Sequence, residues 1–145
     1  MRNVKFANTT YVLPTFKNTS GAGVDFRGAK IKGGQFQGCN YRSGNFQGAH
    51  IVSSAFQGAT LKYGNFRDSR LTYSDFTNAD LGGADFTNAD LSYANLNGAN
   101  LNGAIFSNTK LDGVQLCGST LPTGHQTNYC DRILEYIKVD DEAPA

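Results

Sequence analysis

The sequence predicts an all-β solenoid: square coils of about 20 residues, stacked about six deep at strand spacing, with a short C-terminal capping helix. Three observations predict it. Every fifth residue from Phe6 to Leu121 is Phe, Leu, Ile or Tyr, with Gly21 as the one exception. The residue two places before each of these, from Val4 to Ser119, is never larger than Val. After Leu121 the pattern stops at Pro122 and Gly124, and a stretch of helical period follows.

The period comes first. All 10 phenylalanines of the 145-residue chain fall on the one large phase. A period of five fits neither a helix at 3.6 nor a flat strand at 2. It fits a chain that turns a corner every five residues, with one large and one small side chain pointing inward on each side. Four sides close a coil. A coil cannot bury its own upper and lower faces, so coils must stack. An apolar content of 39% is low for a packed protein, but here it is concentrated on the inner phases. The 17 glycines, with the asparagines, suit the corners.

Residues 20 apart then share a column. Phe6, Phe26, Phe46, Phe66, Phe86 and Phe106 form one inner column. Phe16, Phe36, Phe56, Phe76, Leu96 and Leu116 form the opposite one. The other two faces carry Tyr11, Ile31, Ile51 and leucines, and Gly21, Tyr41 and leucines. These columns are core, not a ligand box. Cys39, at a small inward position, belongs with them.

The segment ADLGGADFTNADLSYANLNGANL, residues 79–101, resembles the pentapeptide-repeat family, whose units read approximately A-(D/N)-(L/F)-x-x. The resemblance covers about residues 4–121 and implies a right-handed quadrilateral β-helix. The first four units match poorly. Thr9, Pro14 and Thr19 stand where Ala is usual, and Gly21 replaces a large residue. An irregular first coil is therefore expected.

Two units follow: residues 1–121 as the repeat body, and residues 122–145 as a capping helix with a charged tail. In HQTNYCDRILEYIKV, Tyr129, Ile133 and Ile137 lie four apart, with Leu134 beside them and Asn128 as a candidate N-cap. That apolar stripe reads as a cap on the last coil or as a dimer contact. The resemblance leaves the second reading open, because some family members dimerise through their C-terminal ends. Cys117 faces outward on the last full coil and Cys130 lies on the expected cap, so the two could bracket cap to coil. The sequence has no apolar stretch of membrane-span length, and MRNVKFANTT has no secretory h-region. A cytoplasmic protein off the membrane is the expectation, a setting in which disulfides are uncommon.

No enzyme is expected. Asp75, Asp80, Asp85 and Asp90 look like a cluster, but the period sends them to four successive faces. They read as solvated turn residues. There is no H-x-x-x-H, Cys/His zinc spacing, P-loop or G-x-S-x-G, so neither a metal nor a cofactor is implied.

Charge carries the remaining signal. The net charge of +1 hides +8 over residues 1–70, −4 over 71–121 and −3 over 122–145. Arg27 and Arg67 lie at one edge of a corner. Lys30, His50 and Arg70 stack on the other, with Lys32 close by. These six residues are the candidate patch for an anionic partner, against the plainer reading of solubilising charge. Arg42 and Lys62 stack on another face, where like charges repel unless solvated or given an anion. The expected role is a rigid interaction or structural module, recognised through its faces and ends. Its partner would be another protein, or a second copy meeting it end to end or as a dimer. Nucleic acid is disfavoured, because base-stacking aromatics are not interleaved with the patch: Tyr63, Tyr73 and Tyr93 lie higher up the rod. The resemblance also implies an alternative. Some family members mimic DNA, bind type II topoisomerase and protect against quinolones or toxins. Mimicry needs a strongly negative rod.

Overall fold

The structure is a computed structural model and describes residues 4–127. Its backbone is one parallel ladder with a register of 20. Lys5 pairs with Asp25, Asp25 with Asn45, Asn45 with Asn65, and the other three columns run the same way as far as Asn100 with Thr120. Three short strands stand out on one face. They are β1 (Thr10–Val12), β2 (Lys30–Lys32) and β3 (His50–Val52), parallel in the order β1-β2-β3. Tyr11, Ile31 and Ile51 are in register on their inner side.

The large phase fills the interior. Phe26, Phe46, Phe66 and Phe86 are fully buried, and their rings stack at 4.7–5.3 Å between centroids. Opposite them Phe36, Phe56 and Phe76 stack at 4.5 and 4.7 Å. The two columns meet edge to face, as between Phe26 and Phe36 at 5.8 Å. Aromatic pairs favour both offset stacks and edge contacts over eclipsed sandwiches, so two opposed phenylalanine columns fill a square section. Burial pushes the Cys39 thiol up to about 12, which makes it an inert core residue.

The corners have one geometry. In most units the N–H of the small residue donates to the carbonyl of the large residue three places before it, as Ala29 N to Phe26 O at 3.0 Å. The residue just before the small one has positive φ at every corner from Asn8 to Gly118. A type II turn has this shape. Where an Asp or Asn stands before the large residue, it takes a further corner N–H in most units. Asp80 Oδ1 accepts the N–H of Gly82 at 3.0 Å, and Asn95 Oδ1 accepts that of Asn97 at 2.9 Å. Asp75, Asp85 and Asp90 do the same for Thr77, Thr87 and Ser92. The aspartates lie on four separate faces as turn residues, and the structure adds that solvent reaches them only in part. All four are partly buried corner acceptors.

The first coil also differs from expectation. It keeps the full register, with positive φ at Asn8, Leu13 and Asn18. Its departures have partners. Tyr41 is fully buried, and its hydroxyl hydrogen-bonds the Thr19 hydroxyl one coil below. The phenol thus extends past Gly21, the unit that lacks a large side chain. Phe6, Tyr11 and Phe16 pack against the core but stay partly exposed.

At the other end the chain turns back on itself within residues 121–127. Gln126 pairs antiparallel with Thr120, and Thr127 donates its N–H to Ser119 O at 2.9 Å. The buried Thr127 hydroxyl donates to Leu116 O at 2.6 Å. Part of the last coil's edge is thereby closed before the expected helix begins. The helix itself lies outside the described residues, with Tyr129, Cys130, Ile133, Leu134 and Ile137.

Candidate interaction face

The three strands exist because three corners lack the usual turn bond. Pro14 has no N–H to give. The N–H of Gly34 donates to Ser54 Oγ at 3.0 Å, and the N–H of Ser54 donates to Ser74 Oγ at 3.2 Å. Each serine sits directly above its partner in the small inward column, 20 residues on. The hydroxyls are satisfied in turn: Ser54 Oγ donates to Val52 O and Ser74 Oγ to Ile51 O, both at 3.1 Å. Freed from the tight turn, the chain stays extended for three residues on each of these sides.

Over this sheet lies a groove of about 380 Å³. One edge is the column Thr10, Lys30, His50 and Arg70; the other includes Val12, Lys32, Val52 and Tyr73. None of its lining residues is acidic. Val12 and Tyr73 are 71% and 63% exposed, and Leu13 beside Val12 is 73% exposed. The Tyr73 ring stacks on that of Tyr93 at 5.1 Å.

Of the six basic residues picked out in the sequence, the structure gathers Lys30, Lys32, His50 and Arg70 into this groove. It does not gather the other two. Arg27 forms a two-bonded pair with Asp25, at 3.0 and 2.8 Å, and Arg67 pairs with Asp85 at 3.2 Å. Hydrogen bonds from Arg27 hold the Asp25 carboxyl below its usual value, against the opposing effect of burial. At Asp85 burial acts upward as the largest single influence. The hydroxyl and N–H of Thr87, joined by Arg67, outweigh it and hold the carboxyl down. Asp90, one coil above Arg70, is lowered in the same way: burial opposes, and Ser92, Lys110 and Arg70 prevail.

Sequence reading placed Tyr73 away from the patch. The structure puts it on the groove wall across from the basic column, because residues 53 and 73 share a corner column. The serine ladder was also missed. Its signal was present: two hydroxyl residues at the small phase, 20 apart, above a glycine and a proline. The repulsion expected between Arg42 and Lys62 is answered by an aromatic ring. The Arg42 guanidinium lies 4.9 Å and the Lys62 ammonium 5.7 Å from the centre of the Tyr63 ring.

Among the described residues, no group of three or more His, Cys, Asp or Glu could hold a metal ion, and no helix is long and apolar enough to cross a membrane. A solid rod with square coils, an aromatic core and one basic groove on its flank defines a β-helical solenoid of the quadrilateral class. The chain belongs to the pentapeptide-repeat family: the family model for pentapeptide repeats matches residues 49–88 and 84–121 in 8 copies. Members of that family form right-handed quadrilateral β-helices. No curated protein sequence matches the chain. Solved structures similar to it include HetL, a pentapeptide repeat protein involved in heterocyst differentiation regulation in the cyanobacterium Nostoc sp. strain PCC 7120. That likeness is at 17% identity and TM-score 0.38, over 87% of this chain and 81% of HetL. A pentapeptide repeat protein of the Arabidopsis thaliana thylakoid lumen is similar at 24% identity and TM-score 0.39, over 85% and 75% of the two chains. QnrB1, a plasmid-mediated fluoroquinolone resistance protein, is similar at 23% identity and TM-score 0.36, over 83% and 71%.

Proposed function

We propose that this chain is a non-enzymatic interaction module that offers the β1–β3 face to an anionic partner protein. The observation that carries this reading is the column Lys30, His50 and Arg70, stacked at the coil pitch in a groove with no acidic lining residue. Lys30 and Arg70, two coil steps or about 9.6 Å apart along the axis with the His50 imidazole between them, repel one another, and an anion relieves that repulsion. The packed interior fixes the backbone of the column, so the ordering needed on docking is confined to the exposed Lys30, His50 and Arg70 side chains. The repeat body is residues 1–121, about six coils, and residues 122–145 act as its cap or as a contact with a second copy.

The topoisomerase-binding reading has no observation in its favour. A DNA mimic needs an acidic flank, and this face is basic. Unchanged DNA supercoiling by gyrase with micromolar protein present is the expected result.

Titration calorimetry with poly-L-glutamate tests the main reading. Binding that weakens with salt and is lost in Lys30→Glu/Arg70→Glu supports it. Binding that is absent, or unchanged in that variant, overturns it.

A further inference from the structure

The groove has two chemically different edges, and this says more about its occupant than charge alone. One edge carries the cations Lys30 and Arg70, with the His50 imidazole between them. The opposite edge carries Val12, Val52 and the Tyr73 ring, with Lys32 between the two valines. A bare polyanion would use the first edge and leave the second exposed to water. Val12 and Tyr73 are both more than half exposed, so covering them adds apolar burial to ionic contact.

The dimensions limit the shape. The two edges are two residues apart along each strand, about 6.6 Å at roughly 3.3 Å per residue. That is narrower than an α-helix, whose diameter with side chains is about 10–12 Å. Lengthwise the groove runs from Thr10 to Arg70, three coil steps or about 14 Å, which accommodates four or five extended residues. In an extended segment lying along this axis, successive side chains point to opposite sides. Alternating acidic and apolar residues would therefore send carboxylates to one edge and apolar groups to the other.

Nucleic acid fits less well. Two or three phosphates over this length bind weakly, and valines give nothing to a sugar-phosphate backbone. Base stacking would fall to Tyr73, one face of which is already taken by Tyr93.

We infer that the β1–β3 groove binds a short extended segment of a partner protein in which acidic and apolar residues alternate. The carboxylates lie against Lys30, His50 and Arg70, and the apolar side chains lie against Val12, Val52 and Tyr73. This rests on the reading of the face as an anion-binding surface and adds what the partner must carry besides charge.

The test uses the full chain and three fluorescent probes in anisotropy titrations. One is a seven-residue peptide alternating Asp and Val. The second alternates Asp and Ser at the same charge. The third is a seven-nucleotide oligothymidylate. The Asp–Val peptide is expected to bind about fivefold or more tighter than the Asp–Ser peptide, and tighter than the oligonucleotide. Lys30→Glu/Arg70→Glu should weaken both peptides about tenfold or more. Val12→Ser/Val52→Ser should remove only the advantage of the Asp–Val peptide. Arg42→Ala/Lys62→Ala, on another face, should change nothing. Equal binding of the two peptides, both sensitive to Lys30→Glu/Arg70→Glu, overturns the alternating segment and leaves the anionic face standing. Tightest binding by the oligonucleotide assigns the groove to nucleic acid instead. Insensitivity of every probe to Lys30→Glu/Arg70→Glu removes both readings.

Discussion

The two halves of the rod are built on one period but solve different problems. From Leu71 onward the units are near uniform. Alanines fill most small positions, leucine stands at eight of the eleven large positions, and Asp or Asn accepts the spare corner N–H in unit after unit. Below Leu71 the consensus is broken repeatedly, by Pro14, Gly21, Gly34, Ser54 and two inward threonines. Yet the register never slips. The family match begins only at residue 49, while the groove spans residues 10–73. The surface that differs from a plain rod is therefore made where the repeat is least regular. Backbone pairing between coils tolerates the irregularity, because it depends on N–H and C=O groups rather than on side-chain identity.

The contrast can be tested most severely in the core. Phe56 is fully buried between Phe36 and Phe76. Phe56→Ala should cost about 3–5 kcal/mol, and Leu96→Ala higher in the same column about 2–5 kcal/mol, by chemical denaturation. A loss at Phe56 no larger than at Leu96 would mean that ring stacking adds nothing to the lower half.

Next in size is the serine ladder. Ser74→Ala leaves the Ser54 N–H without its acceptor and should cost about 1–3 kcal/mol. Hydrogen exchange at Ser54 should speed up with it. The reverse change, Ala94→Ser, adds a hydroxyl to the same column in the regular half, where the Ala94 N–H already donates to Leu91 O. It should change exchange at Ser74 or Ala94 far less.

Corner glycines offer a third comparison. A side chain at the positive-φ position lies over the residue 20 places on. A Cβ at Gly83 would come within 2.6 Å of the Tyr63 ring, whereas at Gly48 it would meet nothing within 4 Å. Gly48→Ala should show only the backbone strain of a left-handed residue, about 1–2 kcal/mol. Gly83→Ala should lose more, and Tyr63→Ala in the same chain should recover the excess. Additive losses in that double-mutant cycle would refute the steric pairing.

The smallest effect is in acid. The Asp90 carboxyl titrates below its usual value in the folded chain. Its contribution is complete above the ordinary carboxylate value of about 3.9 and disappears as pH falls through the lower folded value. Asp90→Asn keeps a corner acceptor, as Asn95 shows. It should flatten the acid limb of the stability profile slightly, and an unchanged limb would show that Asp90 does not carry this dependence.

Much of this was legible without coordinates. The spacing of Phe and Leu named the columns, and the 20-residue coil correctly dispersed Asp75, Asp80, Asp85 and Asp90. The basic column Lys30–His50–Arg70 followed from the same arithmetic. The pairing of Arg27 and Arg67 did not, because Asp25 is two residues from Arg27 and Asp85 is 18 from Arg67, offsets that the column rule does not rank. Tyr73 was misplaced because height along the rod was judged without the overlap between corner columns.

By itself, then, the sequence determined the period, the inward phases, the stacking register and the uneven charge. Those follow from one rule: apolar groups leave water, and a five-residue side leaves them only one direction. Tertiary structure alone decided which corners open and which cations are taken by a neighbouring carboxylate. It also decided that the lower flank carries a groove with two unlike edges. These depend on contacts of a few ångströms between residues about 20 apart, where one hydroxyl or one missing N–H changes the path of the backbone.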